Sequence, residues 1–242
     1  MEWFEEIGFD SNPFDTSLEA SAKYAVGLDR PFEELEYYVG SGSVVFVEGP
    51  FGSGKSVLLW KLADELGGRA VYVDCSAGEP DVRSIMRKKT SFLGRLFGKV
   101  PKDIVLLIDN AASLSPTAMG LLKYHYDNNH LVAVVFAGAS FRLAGLSPAL
   151  VDRVGSRVVK LTALAENDAV LMVRNRLGSS AILGDDFIRK LYKMSGKDPK
   201  GFLQLCEDAC KAAVASKSEA VSNEHIVSLK KMEKIVEAGS NG

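Results

Sequence analysis

Gly49-Pro50-Phe51-Gly52-Ser53-Gly54-Lys55-Ser56 is the stretch whose reading decides the fold. It matches the pattern G-x-x-x-x-G-K-[ST], and it lies between an apolar run at Val44–Glu48 and a helical pattern over Lys55–Leu66. A strand before the loop and a helix after it form the context that this pattern requires. Glycines let the backbone curl so that successive N–H groups face one point and can cradle phosphate oxygens. The helix that follows adds the partial positive charge of its N-terminus. In such a loop Lys55 reaches the β and γ phosphates and Ser56 ligates magnesium, and Gly49 to Val57 are the expected nucleotide-binding residues. ATP and Mg2+ are therefore the expected ligands.

Outward from the loop, four more short apolar runs follow: Ala70–Asp74, Ile104–Asp109, Leu131–Ala137 and Val158–Leu161. Continuous rather than alternating hydrophobicity is what parallel strands covered on both faces show. Helical patterns separate them at Lys55–Leu66, within 80–97, and at Pro116–Tyr126, so the expected fold is an α/β parallel sheet with helices on both faces. Upstream, Pro31–Tyr38 reads as a helix with proline in its first turn, and the first 30 residues as an ordered arm. After Thr162 the pattern turns helical, with segments near 167–177, 185–195, 199–216 and 222–236. The expected division is a nucleotide-binding α/β domain over 1–161 and a small all-α lid over 162–242, which leaves too little chain for a winged helix.

Ile104-Val105-Leu106-Leu107-Ile108-Asp109 is an apolar strand ending in a carboxylate. Paired with the upstream loop, Asp109 takes the place of a Walker B aspartate, so Ser56 and Asp109 are the expected metal residues.

With these residues in hand, the chain resembles an AAA+ ATPase over roughly residues 12–215, on the origin-recognition/Cdc6 and clamp-loader side of that superfamily. Tyr24-Ala25-Val26-Gly27-Leu28-Asp29-Arg30 is similar to the segment that lines the adenine pocket, which implies adenine contacts for Val26 and Gly27. Ser140, after the fourth strand, falls where the family places a polar sensor-1 residue. Ser147-Pro148-Ala149-Leu150-Val151-Asp152-Arg153 resembles the segment carrying an arginine finger, so the resemblance implies an oligomer in which Arg153 acts on a neighbour's nucleotide, with Arg157 as the alternative. Ser195–Lys200 is similar to the sensor-2 segment, which puts Lys200 at the sensor position.

Two departures bear on activity. Asn110 follows Asp109 where the family has a glutamate base, and an amide cannot accept a proton. Asp74, at the end of the strand expected beside Asp109, is either a stand-in base acting through one water or a turn carboxylate. Lys200 keeps the sensor's charge but lacks the forked guanidinium of the family's arginine. Both departures imply an ATPase of weak turnover, a switch that holds ATP.

The formal net charge is -2, yet residues 82–102 hold seven basic side chains and no acidic one. Arg83, Arg87, Lys88, Lys89, Arg95, Lys99 and Lys102 either attract DNA phosphates or form a solvated helix face. Phe92 and Phe97 read better as core than as stacking residues. Cys75, Cys206 and Cys210 suggest reduced thiols in a cytoplasmic protein, with the latter two buried in the lid. His125 and His130 flank a helix end and a turn, with no metal-site pattern. No apolar run reaches membrane-spanning length, and Met1–Asp10 is acidic and unlike a signal peptide. The reading with the most support is an AAA+ type ATP-binding switch in a DNA transaction such as replication initiation, loading or remodelling. The alternative is an ATP-gated, protein-binding adaptor with little hydrolysis and no DNA contact. A small-molecule kinase also uses this loop, but the sensor-like segments and the helical lid weigh against it.

Overall fold

The computed structural model describes residues 2–89 and 103–227. They form two compact units, one within Leu28–Ala163 and one combining the described residues up to Gly27 with those from Leu164 to 227.

The first unit is built on five strands: β1 (Val44–Glu48), β2 (Ala70–Asp74), β3 (Ile104–Asp109), β4 (Leu131–Gly138) and β5 (Val158–Lys160). All neighbours run parallel, in the order β2-β3-β4-β1-β5. The pleat divides each apolar run between two faces. Val44 and Phe46, Leu106 and Ile108, and Val134 and Phe136 pack on one side against helices at Val82–Lys89, Pro116–Asp127 and Pro148–Val154. Helices Asp29–Gly40 and Lys55–Leu66 lie on the sheet as well and pack on each other. This is why the runs read as continuous: Ile104–Ile108 is at most 3% exposed at every position, so neither face faces water.

The parallel register brings the carboxyl ends of the strands together. Asp74 lies opposite Asp109, Glu48 opposite Gly138, and Ile108 opposite Phe136. The chain leaves β1 for the far edge of the sheet and returns through β3 and β4, so the ends of β1 and β4 flank a change of direction in the sheet order. Gly138 fits closely there: a Cβ on it would come within 3.1 Å of the fully buried Phe46 ring, which would have to shift.

The second unit is helical, with helices at Glu166–Leu177, Asp185–Met194 and Pro199–Ala215 and a further helix beginning at 223. Asp198 caps the third, its carboxylate accepting from Gly201 N at 2.8 Å with Pro199 in the first turn, as the Asp-Pro pair suggests. Their buried faces make one cluster that includes Phe202, Tyr192, Ile188 and Val173. Burial pushes the Cys206 thiol well up and that of Cys210 up to about 12, which leaves both as inert packing residues.

The N-terminal arm belongs to this unit rather than to the sheet, which changes the 1–161 and 162–242 division drawn from the sequence. Phe14 is fully buried in the helical cluster, Trp3, Ile7 and Phe9 pack against it, and Trp3 stacks on Phe14 at 6.2 Å. Arg176 secures the arm: it is 5% exposed and donates from Nη1 to the carbonyls of Pro13 (3.0 Å) and Asp15 (2.9 Å). Tyr24 lies under its guanidinium at 5.1 Å.

Candidate functional site

The glycine-rich loop joins β1 to the helix Lys55–Leu66 at the carboxyl end of the sheet. Gly52 and Gly54 have φ of 74° and 88°, the left-handed conformations that side-chain-bearing residues rarely adopt. Gly49 has no room for a side chain: a Cβ there would lie 2.5 Å from Ser53 Oγ and 3.0 Å from Leu161 Cβ. Ser53 is buried and its hydroxyl has no hydrogen-bond partner among the described residues, which leaves a polar atom within the loop that a ligand oxygen could satisfy. Lys55 Nζ donates to the carbonyls of Gly49 and Pro50, both at 2.8 Å, so the ammonium is folded over the loop. Burial lowers the Lys55 pKa and the Asp109 carboxylate pulls it back up. Phe51, at the loop's tip, is 86% exposed, and Ser56 and Val57 form the half-buried start of the helix.

Asp109 ends β3 at 1% exposure. Its Oδ1 accepts from Asn110 N at 2.9 Å and its Oδ2 from the Tyr72 hydroxyl at 3.0 Å. The Ser56 side chain is near enough to the same phenol to influence its ionisation. A buried carboxylate and a serine hydroxyl are hard oxygen donors of the kind magnesium takes, and the lysine beside them suits phosphate oxygens; these residues fit a magnesium–nucleotide pair.

Asn110 lies in the left-handed region, with φ 54° and ψ 45°. Asparagine tolerates that conformation better than most residues. Its side-chain amide donates to Asp74 Oδ1 at 2.8 Å. Asp74 also accepts from Ser76 N and Ser76 Oγ, both at 2.8 Å, and these bonds together with that from Asn110 hold its carboxyl below the usual range despite the opposing effect of burial. Register alone brings Asp74 beside Asp109, as the sequence suggests.

On the other side of the loop, Gly49 N donates to Gly138 O at 3.2 Å. Phe141 N donates to Glu48 Oε1 at 3.3 Å, which ties the Ser140 segment to the end of β1, and Ser140 itself is half-buried two residues beyond β4. Arg153 is bound to its own chain: Nε and Nη2 reach Asp127 Oδ1 at 3.1 and 2.9 Å, and Lys123 holds the other oxygen at 2.6 Å. Arg157 donates to the carbonyls of Arg153 and Val154. Val26, Gly27 and Lys200 belong to the helical unit, where Val26 is half-buried, Gly27 turns with φ 74°, and Lys200 is exposed in the first turn of its helix.

The sheet order, the loop at the end of the interior strand β1 and the helical unit that follows can be set against known structures. The chain superposes on Cdc6p from Pyrobaculum aerophilum with a TM-score of 0.68 at 14% identity, over 91% of this chain and 69% of that one. The chain has the AAA+ fold. The AAA+ match extends to the RuvB Holliday junction branch migration motor of Thermotoga maritima, with a TM-score of 0.65 at 17% identity over 91% of this chain and 72% of the other. It also extends to the Orc1 protein of Aeropyrum pernix, solved in complex with DNA, with a TM-score of 0.61 at 16% identity over 85% and 65%. No protein-family model and no curated protein sequence matches the chain.

Tyr72 is the site residue the sequence did not disclose. It is the one hydroxyl-bearing residue in β2, Ala70-Val71-Tyr72-Val73-Asp74, and a half-buried phenol needs a partner. That requirement was the available signal, but the partner is 37 residues away in sequence. Of the basic segment, Arg83 and Arg87 lie in the helix Val82–Lys89, while Arg95, Lys99 and Lys102, with Phe92 and Phe97, lie outside the described residues; nothing is described of the Lys88 and Lys89 side chains. Among the described residues no helix is long and apolar enough to cross a membrane.

Proposed function

We propose that this AAA+ module binds ATP with magnesium at Gly49–Ser56 and Asp109 and works as a slow nucleotide switch. The observation that carries the proposal is the juxtaposition of a glycine-bent loop, Lys55, and the buried Asp109 carboxylate that acts on its ammonium. In this reading the loop's N–H groups and Lys55 bind the phosphates, with Lys55 exchanging the carbonyls of Gly49 and Pro50 for phosphate oxygens. Ser56 and Asp109 would hold the magnesium ion, which supplies charge neutralisation on the phosphates. Val26 and Gly27 are proposed for the adenine, and Ser140 and Lys200 for sensing the terminal phosphate. Equilibrium binding of a fluorescent ATP analogue with and without magnesium tests this; no binding at micromolar nucleotide would reject it.

Slow turnover follows from the pair beyond Asp109. The Asn110 amide is spent on Asp74, and Asp74, with its pKa lowered by three donors, is a poor general base. Asn110→Glu alone would strain a left-handed backbone and set two carboxylates together, costing about 1–2 kcal/mol. Exchanging both residues, Asp74→Asn with Asn110→Glu, restores an amide–carboxylate pair with the carboxylate after Asp109. The double variant is expected to turn over ATP about 100-fold faster than wild type, the size of a general-base contribution, and the single variant much less. Steady-state phosphate release measures both.

The output we favour is a DNA transaction in an oligomer. It is supported by the fold shared with the branch migration motor and with the DNA-bound Orc1, and by the basic run at 82–102. Arg153 would have to leave Asp127 to act on a neighbour's nucleotide. Arg153→Ala is then expected to leave ATP affinity unchanged and to lower turnover of the assembled form about 1000-fold. Equal turnover in dilute and concentrated protein would remove the finger. The second reading, an ATP-gated protein-binding adaptor, is favoured by the Asn110–Asp74 contact. DNA binding that falls steeply with salt separates the two.

A further inference from the structure

We propose that Tyr72 is a positioning residue that sets the plane of the Asp109 carboxylate for a divalent cation. The inference rests on the reading of Gly49–Ser56 and Asp109 as a magnesium–nucleotide site. Neighbouring parallel strands point paired residues to the same face, and β2 and β3 pair Tyr72 with Leu107 and Asp74 with Asp109. The intervening residues Leu106, Ile108, Val71 and Val73 face the apolar cluster on the opposite side. Tyr72 and Asp109 therefore share the face toward which the phosphate-loop helix Lys55–Leu66 packs on β2 and β3. From one pleat further back, the phenol reaches the end of the neighbouring strand.

Two donors then fix the carboxylate. The Tyr72 hydroxyl holds Oδ2 at 3.0 Å and Asn110 N holds Oδ1 at 2.9 Å. A carboxylate oxygen has room for two hydrogen bonds, so each keeps one acceptor direction. With both oxygens anchored the side chain cannot rotate, and these open directions are fixed. Asp109 is 1% exposed, so little bulk solvent competes with the phenol for Oδ2. Residues that orient a metal's ligands from behind contribute substantially to metal affinity.

Tyr72→Phe removes a single oxygen and keeps the ring. The experiment titrates Mg2+ into the full chain with a fluorescent ATP analogue and records the concentration giving half-maximal magnesium-dependent binding. In Tyr72→Phe that concentration is expected to rise about tenfold. Analogue binding in EDTA and the thermal midpoint should stay close to wild type. In an Asp109→Asn background, Tyr72→Phe should add nothing further, because the tyrosine acts through that carboxylate. An unchanged half-saturation in Tyr72→Phe, or an effect that adds in full to that of Asp109→Asn, overturns the proposal. Wild-type binding that ignores magnesium overturns the site reading as well, so the two failures are told apart by the wild-type arm alone.

Discussion

Lys55→Ala is expected to weaken ATP binding by about 3 kcal/mol, roughly 150-fold, the sum of two charge-assisted hydrogen bonds to phosphate. The ammonium is half-buried and has two short bonds to loop carbonyls, and Asp109 acts on it electrostatically. A phosphate would replace neutral carbonyl acceptors with charged ones, and that difference disappears with the side chain. The fold should survive, because the loop's bend comes chiefly from the left-handed Gly52 and Gly54 and from the Ser53 N bond to the Pro50 carbonyl. Titration of the fluorescent analogue measures the affinity, and a circular dichroism melt verifies folding. A dissociation constant within threefold of wild type would remove the phosphate site.

The second large effect concerns the helical unit. Arg176→Met should destabilise that unit by about 3 kcal/mol, because two carbonyls would lose their donor and a ring its cation. Pro13 and Asp15 lie in the arm, and the guanidinium at 5% exposure is their link to the helix Glu166–Leu177. Arg176→Lys should recover only part of the loss, since an ammonium lacks the planar fork. Urea unfolding gives the energy, and limited proteolysis shows whether the arm is released first. Cleavage of the arm at the wild-type rate in Arg176→Met would show that the aromatic contacts of Trp3 and Phe14 hold it without the arginine.

Arg176 also shows where the sequence could be read further. Ala169, Val170, Val173 and Leu177 mark the buried stripe of the helix, and Arg176 falls on that stripe. A cation on an apolar face must have partners, but helical spacing cannot say that they lie in an arm about 160 residues earlier. The arm itself, read from sequence as part of the sheet domain, packs with the helices because Phe14 and Trp3 find their apolar surface there.

The sequence by itself determined the sheet and its phosphate loop. Short continuous apolar runs alternating with helical patterns mark the strands of a covered parallel sheet, most fully at Ile104–Ile108, and the glycine spacing before Lys55 requires a backbone bend at the end of the first run. Asp109 was legible for the same reason, as the polar residue where a buried strand emerges. Tertiary structure alone decided which donors hold that carboxylate and its neighbour Asp74. The register of β2 against β3 brings the Tyr72 phenol to Asp109 and places the Asp74 carboxylate within reach of the Asn110 amide. Register is fixed by side chains packing across the sheet, a long-range property that local spacing does not carry.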